Sequence, residues 1–304
     1  MGVSSASEEN ASTSPVGARK TSCLWSLLPA AGRPVSNGHC TEYAACPSRP
    51  QTLSFAANLI ILALAVTASL IFTIAMNRVW PAARRYAEND LVGWQLNVLA
   101  TTYAVTLGFM LYTEWGDFKA AELNAELEAN SLRNVYRLAQ GLPHDRANIE
   151  RLAVAYATEV VEQDWPEMDR GGMPEESHQV NENLWKALLS AQIEDPMEVA
   201  AHDHALSELS LLTEHRRTRL LENKYELPGI FWCVLLVGGV LTIVSVSLFG
   251  ARQPQIHILQ VLSLTIFLTL VMLTIADVDK PFRGWVHVSD YAFRRALDTM
   301  REVQ

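Results

Sequence analysis

Asp277 and Asp279 stand where a run of 24 residues without a charged side chain comes to an end. Carboxylates at the C-terminal end of an apolar helix oppose its partial negative charge, at about 0.3–1 kcal/mol each. An ion-pair network with Lys280, Arg283, Arg216 or Arg217 would offset that cost, and so would a bound cation. A catalytic acid pair is the third reading. It needs a facing carboxylate, which no uncharged run supplies, so the chain is not read as an enzyme. Glu122, Glu126 and Glu128 form a second acidic group, which could line an ion path or simply face water. His202, Asp203, His204, Glu208 and His215 have the composition of a metal set. Only His204 and Glu208 are four residues apart, however, and His202 and His204 fall on different helical faces. The chain has no glycine-rich phosphate loop, no H-E-x-x-H and no G-x-S-x-G. Neither a metal nor a cofactor is expected.

Asn97, Thr101, Ala104 and Gly108 follow one another at steps of four, three and four inside another uncharged run, so they share one helical face. Small and polar side chains there suit a tight helix–helix seam, or the wall of a water-filled path. Both readings stay open, and under the second these four are the pore-lining candidates. Glu122, Glu126, Asp277 and Asp279 are the candidates for an acidic path or cation site.

The elements that must carry these residues are set by four uncharged runs, 51–77, 91–113, 227–251 and 253–276. Roughly 20 helical residues cross a hydrocarbon core about 30 Å thick. A buried helix of a soluble protein would show a charged face somewhere. The fold class is therefore all-α and polytopic, with four transmembrane helices in two hairpins around a cytoplasmic helical block. The divisions are a disordered tail at 1–50, hairpin 1 at 51–113 and the acidic block at 114–226. Hairpin 2 follows at 227–276, with a C-terminal segment and short helix at 277–304. Residues 114–226 hold 23 acidic and 11 basic side chains, net −12, so the remainder of a chain of net −9 is +3. That balance excludes a nucleic-acid partner.

The Ser-, Ala- and Pro-rich tail cannot bury enough apolar surface to order itself. Ala6 stands where a myristoylation pattern wants Ser or Thr, and the first apolar run is too long and too late for a cleaved signal. Of Cys23, Cys40, Cys46 and Cys233, a Cys40–Cys46 disulfide needs an extracytoplasmic tail, and free thiols are the favoured reading. Within 15 residues of the spans, the side holding the tail, block and C-terminus has eight Lys or Arg against four on the other. The positive-inside rule then places both termini in the cytoplasm.

Within the block, periodicity predicts one helix running out of the second span as far as Gly141-Leu142-Pro143. Further helices are expected at 145–163, 181–192 and 196–226, with a loop at 164–177. The last helix is expected to feed straight into the third span. Asn89 and Asp90 are the expected N-cap of the second span, and Gly238-Gly239 a close-packing point in the third.

Five segments carry a resemblance: Tyr103-Ala104-Val105-Thr106-Leu107-Gly108-Phe109, Glu128-Ala129-Asn130-Ser131-Leu132, Val135-Tyr136-Arg137-Leu138-Ala139, Glu162-Gln163-Asp164-Trp165-Pro166, and the run from Asp277 through Pro281, Phe282, Arg283 and Gly284. Over residues 53–300 the chain resembles a bacterial membrane family described as bestrophin-like, long filed as a domain of unknown function. The resemblance to true bestrophins implies a homo-oligomer, a pentamer, that passes small ions across the bilayer of the bacterial inner membrane with the second span lining the pore. It also implies a Pro-Phe-Gly motif after the fourth span, which Arg283 interrupts here. The acidic run of the calcium clasp in the animal proteins is absent. For their aromatic neck only Tyr103, Phe109 and Tyr112 are available. A block of net −12 around a shared axis leans towards cations. The alternative is a membrane-anchored sensor or scaffold whose cytoplasmic helices bind a protein.

Overall fold

The computed structural model describes residues 55–302 apart from Glu175, so the tail and the Cys40–Cys46 pair lie outside the described residues. Among the described residues all regular structure is helical: α1 Phe55–Val79, α2 Ala82–Arg85, α3 Asn89–Leu138, α4 Arg146–Glu159, α5 Trp165–Asp169, α6 Glu176–Leu189, α7 Pro196–Lys224, α8 Gly229–Leu248, α9 Pro254–Val278 and α10 Tyr291–Glu302. Four of them, α1, α3, α8 and α9, are long and apolar enough to span a membrane.

α3 is one helix of 50 residues, because no glycine pair or proline interrupts it before Pro143. Its charged half packs chiefly on α7. Ala121, Ala125 and Ala129 bring small side chains to that core at helical spacing, followed by Leu132, and Ala205, Leu209 and Leu212 of α7 belong to the same cluster. α4, α6 and α10 complete this core. α10 lays Phe293, Ala296, Leu297 and Met300 onto it.

The spans depart from the expected pairing. α1 packs chiefly on α9, then α8, while α3 packs on α8 and α9, so the α8–α9 pair separates the two helices of the first hairpin. Tyr103 explains the fit of α3 to α8. Its hydroxyl donates to the Leu235 carbonyl at 2.7 Å, and its ring fills the notch left by Gly238 and Gly239. A Cβ on Gly238 would lie 2.5 Å from that ring.

Long-range polar contacts fix the connections. Asn89 does not cap α3. Its amide donates to the Gly250 carbonyl at 2.7 Å and accepts from the Gly250 N–H at 2.8 Å, tying the α2–α3 corner to the α8–α9 loop. Buried Arg85 donates to the Ser247 carbonyl in the last turn of α8, where a cation complements the helix terminus. α7 does not continue into α8. Tyr225 and Pro228 are extended, and this four-residue break reorients the chain at the edge of the third span. The expected loop after α4 is also helical in part: a single π-turn, Val160–Asp164, leads into α5, whose second residue is Pro166. Proline tolerates that first-turn position.

Candidate functional site: the open face of the long helix

Asn97, Thr101, Ala104 and Gly108 all sit on the exposed side of α3. They make no seam with the other spans of this chain, and nothing lies within 4 Å of where a Gly108 Cβ would be. Asn97 and Thr101 make no side-chain hydrogen bond among the described residues, whereas Thr102 and Thr106 bond back to carbonyls of their own helix. The same stripe continues in register through Trp115, Lys119, Glu122 and Glu126, all at least partly exposed. At about 1.5 Å per residue it is about 44 Å long from Asn97 to Glu126. Lys119 pairs with Glu122 and lies 5.2 Å from the Trp115 ring centre. Ala104 and Gly108 also border an apolar groove of about 380 Å³ walled by Leu264, Phe267 and Leu268.

Other candidates are placed elsewhere. Tyr103 is turned inward, while Phe109 and Tyr112 are 69% and 78% exposed. Glu128 parts company with Glu122 and Glu126: it is fully buried, and Arg219 grips it through two hydrogen bonds of 2.7 and 3.0 Å. Arg219 also donates to Asp164 at 3.0 Å, and Tyr156 donates to Glu128 at 2.7 Å. The guanidinium stacks 5.3 Å from the Trp165 ring. Burial pulls against its charge, but Glu128, Tyr156 and Asp164 outweigh that and hold its pKa above the ordinary value. Burial together with Glu128 lifts the Tyr156 phenol well above its usual range.

Asp277 and Asp279 are held by backbone amides, with Lys280 of the expected basic partners also acting on Asp279. Asp277 accepts from the N–H groups of Trp285 and Val286 at 3.1 and 2.9 Å, and Asp279 from that of Leu227 at 2.7 Å. Asp279 thereby latches the end of α9 to the α7–α8 break. Pro281-Phe282-Arg283-Gly284 works as a clasp. Phe282 is buried edge-on against Trp165, and Arg283 reaches the carbonyls of Met168 and Asn223, each at 3.1 Å. Gly284 has φ +91°, and a Cβ there would meet Asp277 at 2.5 Å. Arg283 is therefore built into the motif as a strut. His202 contacts the Leu188 carbonyl and His215 the Asn124 amide, so the two are held on different partners.

The residue analysis of the sequence missed is Glu114. The first charge beyond the second span, it is 7% exposed and borders a cavity of about 520 Å³. Burial, reinforced by Asp279 and Asp117, raises its carboxyl to about 7.

Four helices long and apolar enough to cross a membrane, with further helices packed on the charged half of α3, define an all-α membrane protein. The chain belongs to the Bestrophin-like domain family, whose model matches residues 63–293. The fold is similar to that of a singly substituted bacterial Bestrophin homolog from Klebsiella pneumoniae, with TM-score 0.56 and 14% identity, over 79% of this chain and 98% of that one. Two structures described as membrane proteins are also similar. One has TM-score 0.54 and 14% identity over 77% of this chain and 98% of the other. The second has TM-score 0.52 and 17% identity over 80% and 95%. No curated protein matches.

Proposed function

We propose that this chain is one subunit of a homo-oligomeric ion channel in the bacterial inner membrane, a pentamer by family resemblance, with α3 facing the conduction path. The observation that carries this reading is the unpacked stripe on α3. Polar side chains such as Asn97 and Thr101 are costly on lipid-facing helix surface, and a ring of subunits that turns this stripe inward gives them water. The stripe then passes from the uncharged span, through Trp115 and the Lys119–Glu122 pair, to Glu126, and its net negative charge raises local cation concentration at a pore mouth. Small cations are the proposed permeant class, with the charged block and both termini on the cytoplasmic side.

Purified protein in liposomes should pass small ions, and Gly108→Trp should reduce the flux at least tenfold while leaving the oligomer intact. A folded oligomer that passes no ions overturns the proposal. If residues 114–226 then retain a protein partner, the scaffold reading replaces it.

A further inference from the structure

We infer that the cavity beside Glu114 binds a primary ammonium compound with an apolar body, at the boundary between the second span and the charged block. The site lies on the buried flank of α3, away from the stripe, so it does not depend on conduction. Its walls are apolar where they meet the spans, through Met110, Leu227 and Phe231, and Phe118 continues them towards the block. Its charged lining is acidic throughout: Glu114, Asp117, Glu222, Glu226 and Asp279, with no basic side chain among the described lining residues.

Several of these carboxylates have partners. Leu227 N–H binds Asp279, Asn124 donates to Glu222 at 3.4 Å, and Arg283 stands 3.9 Å from Glu226. Lys280 acts on Asp279, and Arg219 on Glu222, from outside the cavity. Glu114 differs. It is more than nine-tenths buried and faces the cavity, and among the described residues no hydrogen-bond donor or cation reaches its carboxylate. Its carboxylate oxygens open onto the cavity without a protein donor among the described residues, so the position suits a ligand that brings its own N–H donors.

The dimensions select the class of cation. No group of three or more acidic, histidine or cysteine side chains among the described residues is arranged to hold a metal ion. About 520 Å³ of largely apolar space suits a small organic molecule. A primary ammonium directed at Glu114, with its apolar body against Phe118 and Phe231, satisfies both halves of the site.

The test uses 2-phenylethylammonium and its neutral counterpart 2-phenylethanol with the full-length oligomer in detergent, measured by isothermal titration calorimetry. At pH 8 the ammonium should bind and the alcohol should bind at least tenfold more weakly. Glu114→Gln, which is isosteric, should weaken ammonium binding at least tenfold. Affinity for the wild type should fall several-fold from pH 8 to pH 6 as Glu114 takes up its proton, while an alkylammonium stays charged throughout. Equal binding of the two compounds, undiminished binding by Glu114→Gln, or no ammonium binding at millimolar concentration overturns the inference. Displacement by equimolar calcium also overturns it, in favour of an inorganic cation. The ammonium-to-alcohol comparison on the wild type decides the matter even if the variant fails to fold.

Discussion

A guanidinium without exposed surface makes a heavy demand on the fold, and Arg219 meets it chiefly through Glu128 and Asp164. Removing one partner of such a buried pair leaves a charge stranded, at about 3–5 kcal/mol. Glu128→Ala should lower stability by about that much in denaturant unfolding of the detergent-solubilised protein, far more than Glu126→Ala, whose side chain is exposed. Adding Arg219→Met and Asp164→Asn to Glu128→Leu should recover part of the loss, because no buried charge of the network is then left stranded. Gly284 makes a separate demand. Its φ of +91° is a region that L side chains rarely adopt, and a methyl there collides with the Asp277 carboxylate that holds the next two amides. Gly284→Ala should cost about 1–3 kcal/mol and expose the 284–286 amides to faster hydrogen exchange.

At the scale of elements, two glutamates, buried Glu114 of α3 and half-buried Glu222 of α7, border the cavity beside the α7–α8 break. Burial lifts both Glu114 and Glu222 to about 7, against about 4.5 in an exposed glutamate. The folded protein therefore holds more protons than the unfolded chain between these values, and stability falls as pH rises from about 4.5 to 7. Thermal melts at pH 5 and pH 8 should show the wild type less stable at the higher pH, with a smaller difference in Glu114→Gln. The helices themselves were legible because their causes are local: a bilayer demands unbroken uncharged runs, and α3 has no breaker until Pro143. The buried network was missed, since Glu128 reads with Glu122 and Glu126 as one acidic group, although register carries a signal for it. Glu128 falls in register with Ala121, Ala125 and Leu132, and Arg219 with Leu209, Leu212 and Arg216, and those registers separate them from solvated neighbours. Other features depend on partners far along the chain. Asn89 reads as a helix cap until Gly250 is brought beside it, and Asp279 reads as an uncompensated charge until Leu227 is. The pairing of α1 with α9 is of the same kind, since a short connection between spans does not determine which helices touch. Gly171-Gly172 marks a turn correctly, but composition there hides the helical start that Trp165-Pro166 announces.

At the scale of the whole molecule, one continuous helix of 50 residues runs from the second span into the charged block. The described spans expose many large apolar side chains, Leu64, Ile71, Ile230 and Phe267 among them, which lipid or neighbouring copies must cover. Asn97 and Thr101 are exposed in the same zone, yet lipid is a poor solvent for them. The proposed ring satisfies both kinds of surface, with the apolar faces turned outward and the α3 stripe turned towards water shared between subunits. In that arrangement Glu122 and Glu126 repeat around an axis, and each ring concentrates cations at one mouth of the path. Glu122→Gln with Glu126→Gln should therefore lower cation flux several-fold, and the loss should shrink at high salt, where a Debye length of about 3 Å at 1 M screens the ring. The reversal potential under a potassium chloride gradient should move towards the chloride potential. An unchanged reversal potential would place the selecting charges elsewhere and leave the α3 stripe as a contact surface between copies.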